Sequence, residues 1–348
     1  MIFRSLGKRG VRVAVFALFA CLHASQSIAG AGPASHAPIG VMGDHTHEVG
    51  EVMLSYRFMR MGMNGLRDDD ERISRGAVVD PAGFGYLVTP TRMEMDMHMF
   101  GGMVSPIDGL TLMLMVPFVT FEMDHRTRMG GTFRTKSDGV GDVRASALID
   151  LWESKGHRVH ANLGLSFPTG SISEVARNPM SGGTKVRLPY PMQIGSGSYD
   201  LLPGLTYNGH REALSWGAQV RGEVRLNKNH ANYRLGNEYA LTAWGSYTLT
   251  DQISLSLRSE WQHQLNHRGQ DASLVGPSAV VPTADKGRRA FMRLDVLAGI
   301  NFIMHEGPLE GVRLALEAGV PAYQRLDGPG LETDWLLTAG VQYAFDAF

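Results

Sequence analysis

The sequence predicts an all-β protein, a single antiparallel transmembrane β-barrel of the outer-membrane type with about 12 strands. Three observations carry that prediction. Segments of alternating apolar and polar residues recur from Gly50 to the C-terminus, each near the roughly 9–11 residues that a tilted membrane strand needs. The connections between them alternate between short and long, as they do where brief periplasmic turns oppose long external loops. The chain also opens with the layout of a secretory signal peptide, which implies export.

That leader spans residues 1–31. Arg4, Lys8, Arg9 and Arg12 precede the apolar run Val13 to Leu22, and Ser27-Ile28-Ala29 or Ala29-Gly30-Ala31 offers a cleavage site. A membrane anchor needs about 20 apolar residues, roughly twice this run. Cys21, the one cysteine, lies within the leader, and a lipoprotein reading of Leu18 to Cys21 would put Phe19 in an unusual position. The exported chain then has no disulfide, thiolate metal site or cysteine nucleophile. With 33 basic and 34 acidic residues, it lacks the basic surplus that a nucleic-acid partner requires. Residues 32–49 are expected to form a periplasmic N-terminal arm and 50–348 the barrel.

The strands follow in order. The first, 50–63, sets Val52, Leu54, Tyr56 and Phe58 against Arg57, Met59, Met61 and Met63. The second, 91–104, contains MEMDMHMF at 93–100. Its strict period of two suits a strand and no helix. If the methionines meet lipid, Glu94, Asp96 and His98 point into the lumen, since a carboxylate on the lipid face is costly. The third, 109–122, is apolar on both faces, so its register stays open, with Met113 and Met115 as candidates for the interior. Strands 140–151 and 157–168 flank the turn WESKG, and the former brings Asp142, Arg144 and Asp150 inward.

Strands 198–208 and 213–226 flank NGHRE, and the latter opposes Leu214, Trp216, Ala218, Val220 and Val224 to Gln219, Arg221, Glu223 and Arg225. Strands 238–249 and 252–265 meet at Thr250-Asp251, and the latter places Arg258 and Glu260 inside. Strand 289–303 turns Arg293, Asp295 and Asn301 inward, and 311–321 does the same for Arg313 and Glu317. The last, 334–345, carries Trp335, Leu337, Ala339, Val341, Tyr343 and Phe345 on one face. The terminal Phe348 is out of phase with them. The luminal charges mix both signs, so pairing across neighbouring strands would fill a narrow interior rather than line a wide ion-selective pore.

Methionine is the compositional outlier: of 19, 14 fall between Met42 and Met129. Thioether sulfur is a soft ligand for Cu(I), and imidazole suits copper or zinc. His45 and His47 of GDHTHE, with Met59, Met61, Met63 and His98, are therefore candidate metal ligands. The bland alternative is that methionine fills space and no cofactor is present. The sequence has no GxSxG, HExxH or CxxC. An outward His263 near Trp261 and Ser259 is the nearest thing to a catalytic pair, and no enzyme is expected.

SDGVGD (137–142), SFPTG (166–170) and GSGSYDLLPGLTY (195–207) resemble motifs of the outer-membrane transporter family linked to the meta-pathway of phenol degradation. PIGVMGDHTHEVGEVMLSYRFM (38–59) is similar to the opening of a Met- and His-rich subgroup. The resemblance runs from about Gly50 to the end. It implies an outer-membrane barrel in contact with lipid, passing a small aromatic or hydrophobic molecule passively, and it supplies no catalytic residues. The competing class is a soft-metal-handling or structural surface protein that conducts nothing.

Overall fold

The computed structural model describes residues 33–34, 36–307 and 309–347. The leader with Cys21, and Phe348, lie outside them. The chain forms β1 (Glu51–Asp69), β2 (Val88–Ile107), β3 (Leu110–Thr127), β4 (Val143–Ser154), β5 (His157–Phe167) and β6 (Asp200–Arg211). It continues through β7 (Leu214–Arg225), β8 (Glu238–Thr248), β9 (Ile253–Gln264), β10 (Phe291–Ile303) and β11 (Val312–Asp346). Each pairs with its predecessor and β11 pairs with β1, so the sheet closes on itself. Closure removes the edges whose unpaired backbone groups hydrocarbon would not tolerate.

The 35-residue β11 crosses the wall twice. Its first part pairs with β10 from Ile303↔Arg313 to Phe291↔Leu326, and its second with β1 from Leu66↔Leu331 to Glu51↔Asp346. The chain reverses across Asp327-Gly328-Pro329-Gly330, residues of turn chemistry. Eleven barrel strands thus make twelve crossings, and the expected strands 311–321 and 334–345 are two halves of one run. The strand expected at 140–151 is broken at Gly141-Asp142. Below the break lies β4, and above it Thr132–Val140 pairs with the far part of β3.

The outer face is apolar, with Leu54, Leu114, Leu163, Val220, Leu241 and Leu257 all exposed. At the short-turn end, Trp152, His157, Tyr207 and Trp216 form part of an aromatic girdle. There His157 Nδ1 lies 2.9 Å from the Tyr207 hydroxyl, to which Trp216 Nε1 also donates at 3.2 Å. This is an outer-membrane barrel.

β2 overturns one expectation. Its register matches Tyr56 with Phe100, Phe58 with His98, Arg60 with Asp96 and Gly62 with Glu94, and directly paired residues share a face. Phe100 is 50% exposed, whereas Met93 is 4% and Met99 7%. The methionines therefore line the lumen, and Glu94, Asp96 and His98 point outward. The physical reason is strand length. β1, β2 and β3 have 19, 20 and 18 residues, far more than the roughly 10 that hydrocarbon requires, so their long-loop ends project beyond it. On that projecting wall Arg60 pairs with Glu94 at 2.9 Å and Asp96 at 3.4 Å, and Arg134 and Lys136 pair with Asp124 and Glu122. Outward charge is costly only where the outside is lipid.

Candidate transport lumen

Three neighbouring strands put methionine at inward alternate positions, and their register stacks these into rungs. Met53, Met103 and Met113 form one rung, and Met63, Met93 and Met123 another. Between them Met59 faces Met97, and Met61 faces Met95. One buried cluster joins Met53, Met99, Met103, Met113 and Met115 to Leu148. A second joins Met93 and Met123 to Leu188 and Met192 of the long loop after β5. The result is a thioether stripe along one wall of the lumen.

The remaining strands carry a ladder of paired charges. Arg258 grips Glu317 with two bonds of 2.8 Å and also pairs with Glu260. Arg221 reaches Glu260 at 2.6 Å, and Arg144 reaches Glu223 at 3.0 Å. Arg225 holds Glu223 and Asp200, while Arg293 holds Asp295 at 2.9 Å. Removed from bulk water, each of these charges lies against its opposite, which offsets part of the cost of burying it.

The arm expected in the periplasm instead enters the barrel. Arg313 donates to the Ala37 carbonyl at 2.7 Å, Gln219 to Met42 O at 3.0 Å, and Asn162 to Gly43 O at 3.2 Å. Asn208 donates to Asp44 O at 2.6 Å, and Thr46 to Asp150 at 2.9 Å. A segment without secondary structure must satisfy its buried backbone this way, and inward polar side chains from several strands supply the partners. Gly40 sits so close to Arg258 and Glu317 that a Cβ there would collide with both. Arg57, also inward, is buried near Asp44. At the other end Val88, which opens β2, packs with Ile172, Tyr190, Tyr233, Leu274 and Val281 of the long connections into one apolar core.

The family model described as "Putative MetA-pathway of phenol degradation" matches residues 97–302, more than half of the chain. The chain belongs to that family. Its fold is similar to an outer membrane channel from Pseudomonas putida F1, with a TM-score of 0.58 and 12% identity over 87% of this chain and 98% of that one. A FadL homologue from Pseudomonas aeruginosa aligns at a TM-score of 0.38 and 12% identity over 86% of this chain and 90% of that one. No curated protein sequence matches the chain.

In this family member the three motifs meet at one carboxylate. Asp142, closing SDGVGD, accepts from Gly170 N at 2.8 Å and from Ser196 N at 2.7 Å. These are the end of SFPTG and the start of GSGSYD. The motifs tie together the two ends of the loop 169–197. Asp142, expected to line the lumen, is instead the anchor of that loop, because a break in the strand aims it at backbone donors.

The six candidate ligands for Cu(I) do not converge. Met59, Met61 and Met63 follow one another up β1, and Met61 sulfur lies 3.7 Å from Arg293 Nη1. His98 is outside, with Nδ1 2.8 Å from the Tyr56 hydroxyl. His45 and His47 sit at the short-turn end, where His47 N donates to Thr111 at 2.9 Å. Alternation places residues on a face but spaces them along it, so a ladder is not a coordination sphere. His263 turns Nδ1 to the Phe291 carbonyl at 3.1 Å and stacks on Trp261.

The histidines of the arm have different company from the one expected. His45 Nδ1 is 3.0 Å from Asp44 Oδ1, and His47 Nδ1 is 3.0 Å from Glu51 Oε2. His36, which no local motif singles out, lies edge-on to His45 with ring centroids 4.4 Å apart. Burial, aided by His45 and Arg313, holds the His36 imidazole well below its usual value. Burial also lowers His47, against the opposing pull of Glu51. Burial would raise Asp44, but the neighbouring His45, His36 and Arg313 outweigh it and keep the carboxyl ionised.

Proposed function

We propose that this barrel lets small aromatic solutes cross the outer membrane passively, along the methionine wall, when the N-terminal arm leaves the lumen. The observation that carries this reading is the two-sided interior. Barrel channels normally have polar interiors, yet one wall here is lined by thioethers. Sulfur–aromatic contacts are worth about 0.3–1.5 kcal/mol each, attractive enough to admit a ring and weak enough to release it, as conduction demands. The family's description, which names phenol degradation, points to the same solute class. The arm is held by separate hydrogen bonds, each worth about 0.5–1.5 kcal/mol net, and by no covalent link, so it is displaceable.

Planar-bilayer conductance and liposome swelling in phenol and in a neutral sugar test the reading. The full chain should conduct rarely, and a chain lacking residues 33–47 should conduct and swell markedly more. In that shortened chain, Met97→Asp with Met99→Asp should slow phenol more than sugar. A folded barrel that passes neither solute, with or without the arm, would end the proposal.

A further inference from the structure

The base of the arm holds a group of side chains that plugging does not use. His36, Asp44 and His45 bring ligand atoms within 4.8 Å of one another, and the ring of His47 follows 4.7 Å from that of His45. His36 Nδ1, both ring nitrogens of His45 and His47 Nε2 are buried without a hydrogen-bond partner among the described residues. Orphaned buried nitrogens are rare in native proteins and call for a bound species. His45 Nδ1 and Asp44 Oδ1 lie 3.0 Å apart, close enough to share one ion, while His47 turns its other nitrogen to the Glu51 carboxylate, 3.0 Å away. Metal-binding histidines show that same arrangement, in which the carboxylate fixes the tautomer and aims the free nitrogen at the ion.

We propose that this cluster binds a divalent transition-metal ion of the zinc class through His36, His45 and Asp44, with His47 alongside, and that the ion clips the arm in its plugging position. Imidazole with a single carboxylate favours zinc over calcium or magnesium, which take oxygen ligands. A donor set of imidazoles and one carboxylate differs from the thioether-rich set that Cu(I) favours. His36 and His45 bracket residues 37–44, the stretch that enters the lumen, so an ion joining them closes that loop at its neck. Arg313 and Arg57 face Asp44 from the barrel wall. Arg313 is engaged with Asn301, Gln342 and the Ala37 carbonyl, so it steadies the loop while leaving the imidazoles free. A cavity of ≈ 510 Å³ lined by His36, His45, His47, Glu48 and Glu51 at the short-turn end gives the ion a route in. The binding claim stands on these residues alone, and only the clip rests on the plugged-channel reading.

The test is a Zn(II) titration of the folded full chain, without a polyhistidine tag, against a competing chelator. One ion should bind per chain. Affinity should fall at least tenfold in His36→Ala and in His45→Ala, and stay unchanged in His305→Ala, a half-buried histidine at another turn. If His45→Ala does not fold, His36→Gln and Asp44→Asn should show the same loss. A parent that binds no zinc, or variants that bind like the parent, would overturn the site. Zinc should also lower the conductance of the parent and have no effect in His36→Ala. Binding without any effect on conductance would remove the clip, while conduction by a chain that binds no zinc would leave transport standing and the site refuted.

Discussion

At the scale of single residues, environment separates charges that look alike in sequence. Arg258 and Glu317 are 4% and 1% exposed and pair face to face, whereas Arg60 meets Glu94 on the outer surface. Glu317→Ala leaves the buried Arg258 with Glu260 as its remaining partner and should cost up to about 3–5 kcal/mol, while Arg60→Ala should cost less than about 1 kcal/mol. Urea unfolding in lipid vesicles measures both, and equal small losses would show the inner pair to be freely hydrated. His267, in the connection after β9, is another such case. Burial, with Arg289 and Arg225 nearby, holds its pKa well below the ordinary value, and its ring packs edge-on against Tyr190. Because the opened state takes up the proton more readily, the neutral ring's contribution is complete above the unfolded value of about 6.5 and declines as pH falls below it. Proteolysis within 266–290 should therefore quicken from pH 7.5 to pH 5, and His267→Phe should flatten that dependence.

At the scale of elements, the strand pattern was legible because alternation is local. β7, β9, β10 and both halves of β11 present the faces expected of them, with Arg221, Glu223, Arg293, Asp295, Arg313 and Glu317 inside. The failure at β2 came from equating "outward" with "in lipid". Leu257, 61% exposed on a strand of only 12 residues, does face hydrocarbon. Leu257→Arg should therefore cost about 2–4 kcal/mol, whereas Asp96→Leu, above the apolar band, should change stability far less. Comparing the two by reversible unfolding into vesicles tests the boundary. A large penalty at Asp96 and none at Leu257 would misplace it.

At the scale of the whole molecule, one chain supplies wall, plug and cover. The arm fills the short-turn half of the lumen, the ladder crosses its middle, and the long connections pack over the far end. The arrangement also has a direction. Trypsin applied to intact cells should cut after Arg177 or Lys185, both exposed in the long loop 169–197, and spare Lys155 and Arg211 in the short turns. The opposite pattern would invert the barrel in its membrane.

The sequence by itself determined the strand class, the number of crossings, the parity of the loops and the membership of most inward faces. Each is set by neighbours a few residues apart, where a period of two leaves little freedom. Only the tertiary structure decided which environment each face meets, because that depends on closure and on how far a strand outruns the bilayer. The path of the arm was equally hidden, since Asn162, Gln219 and Arg313 act together only once their strands surround it. The meeting of His36 with His45 follows from that path. An irregular segment carries no periodicity to read, so its partners are chosen by unsatisfied groups inside the closed barrel.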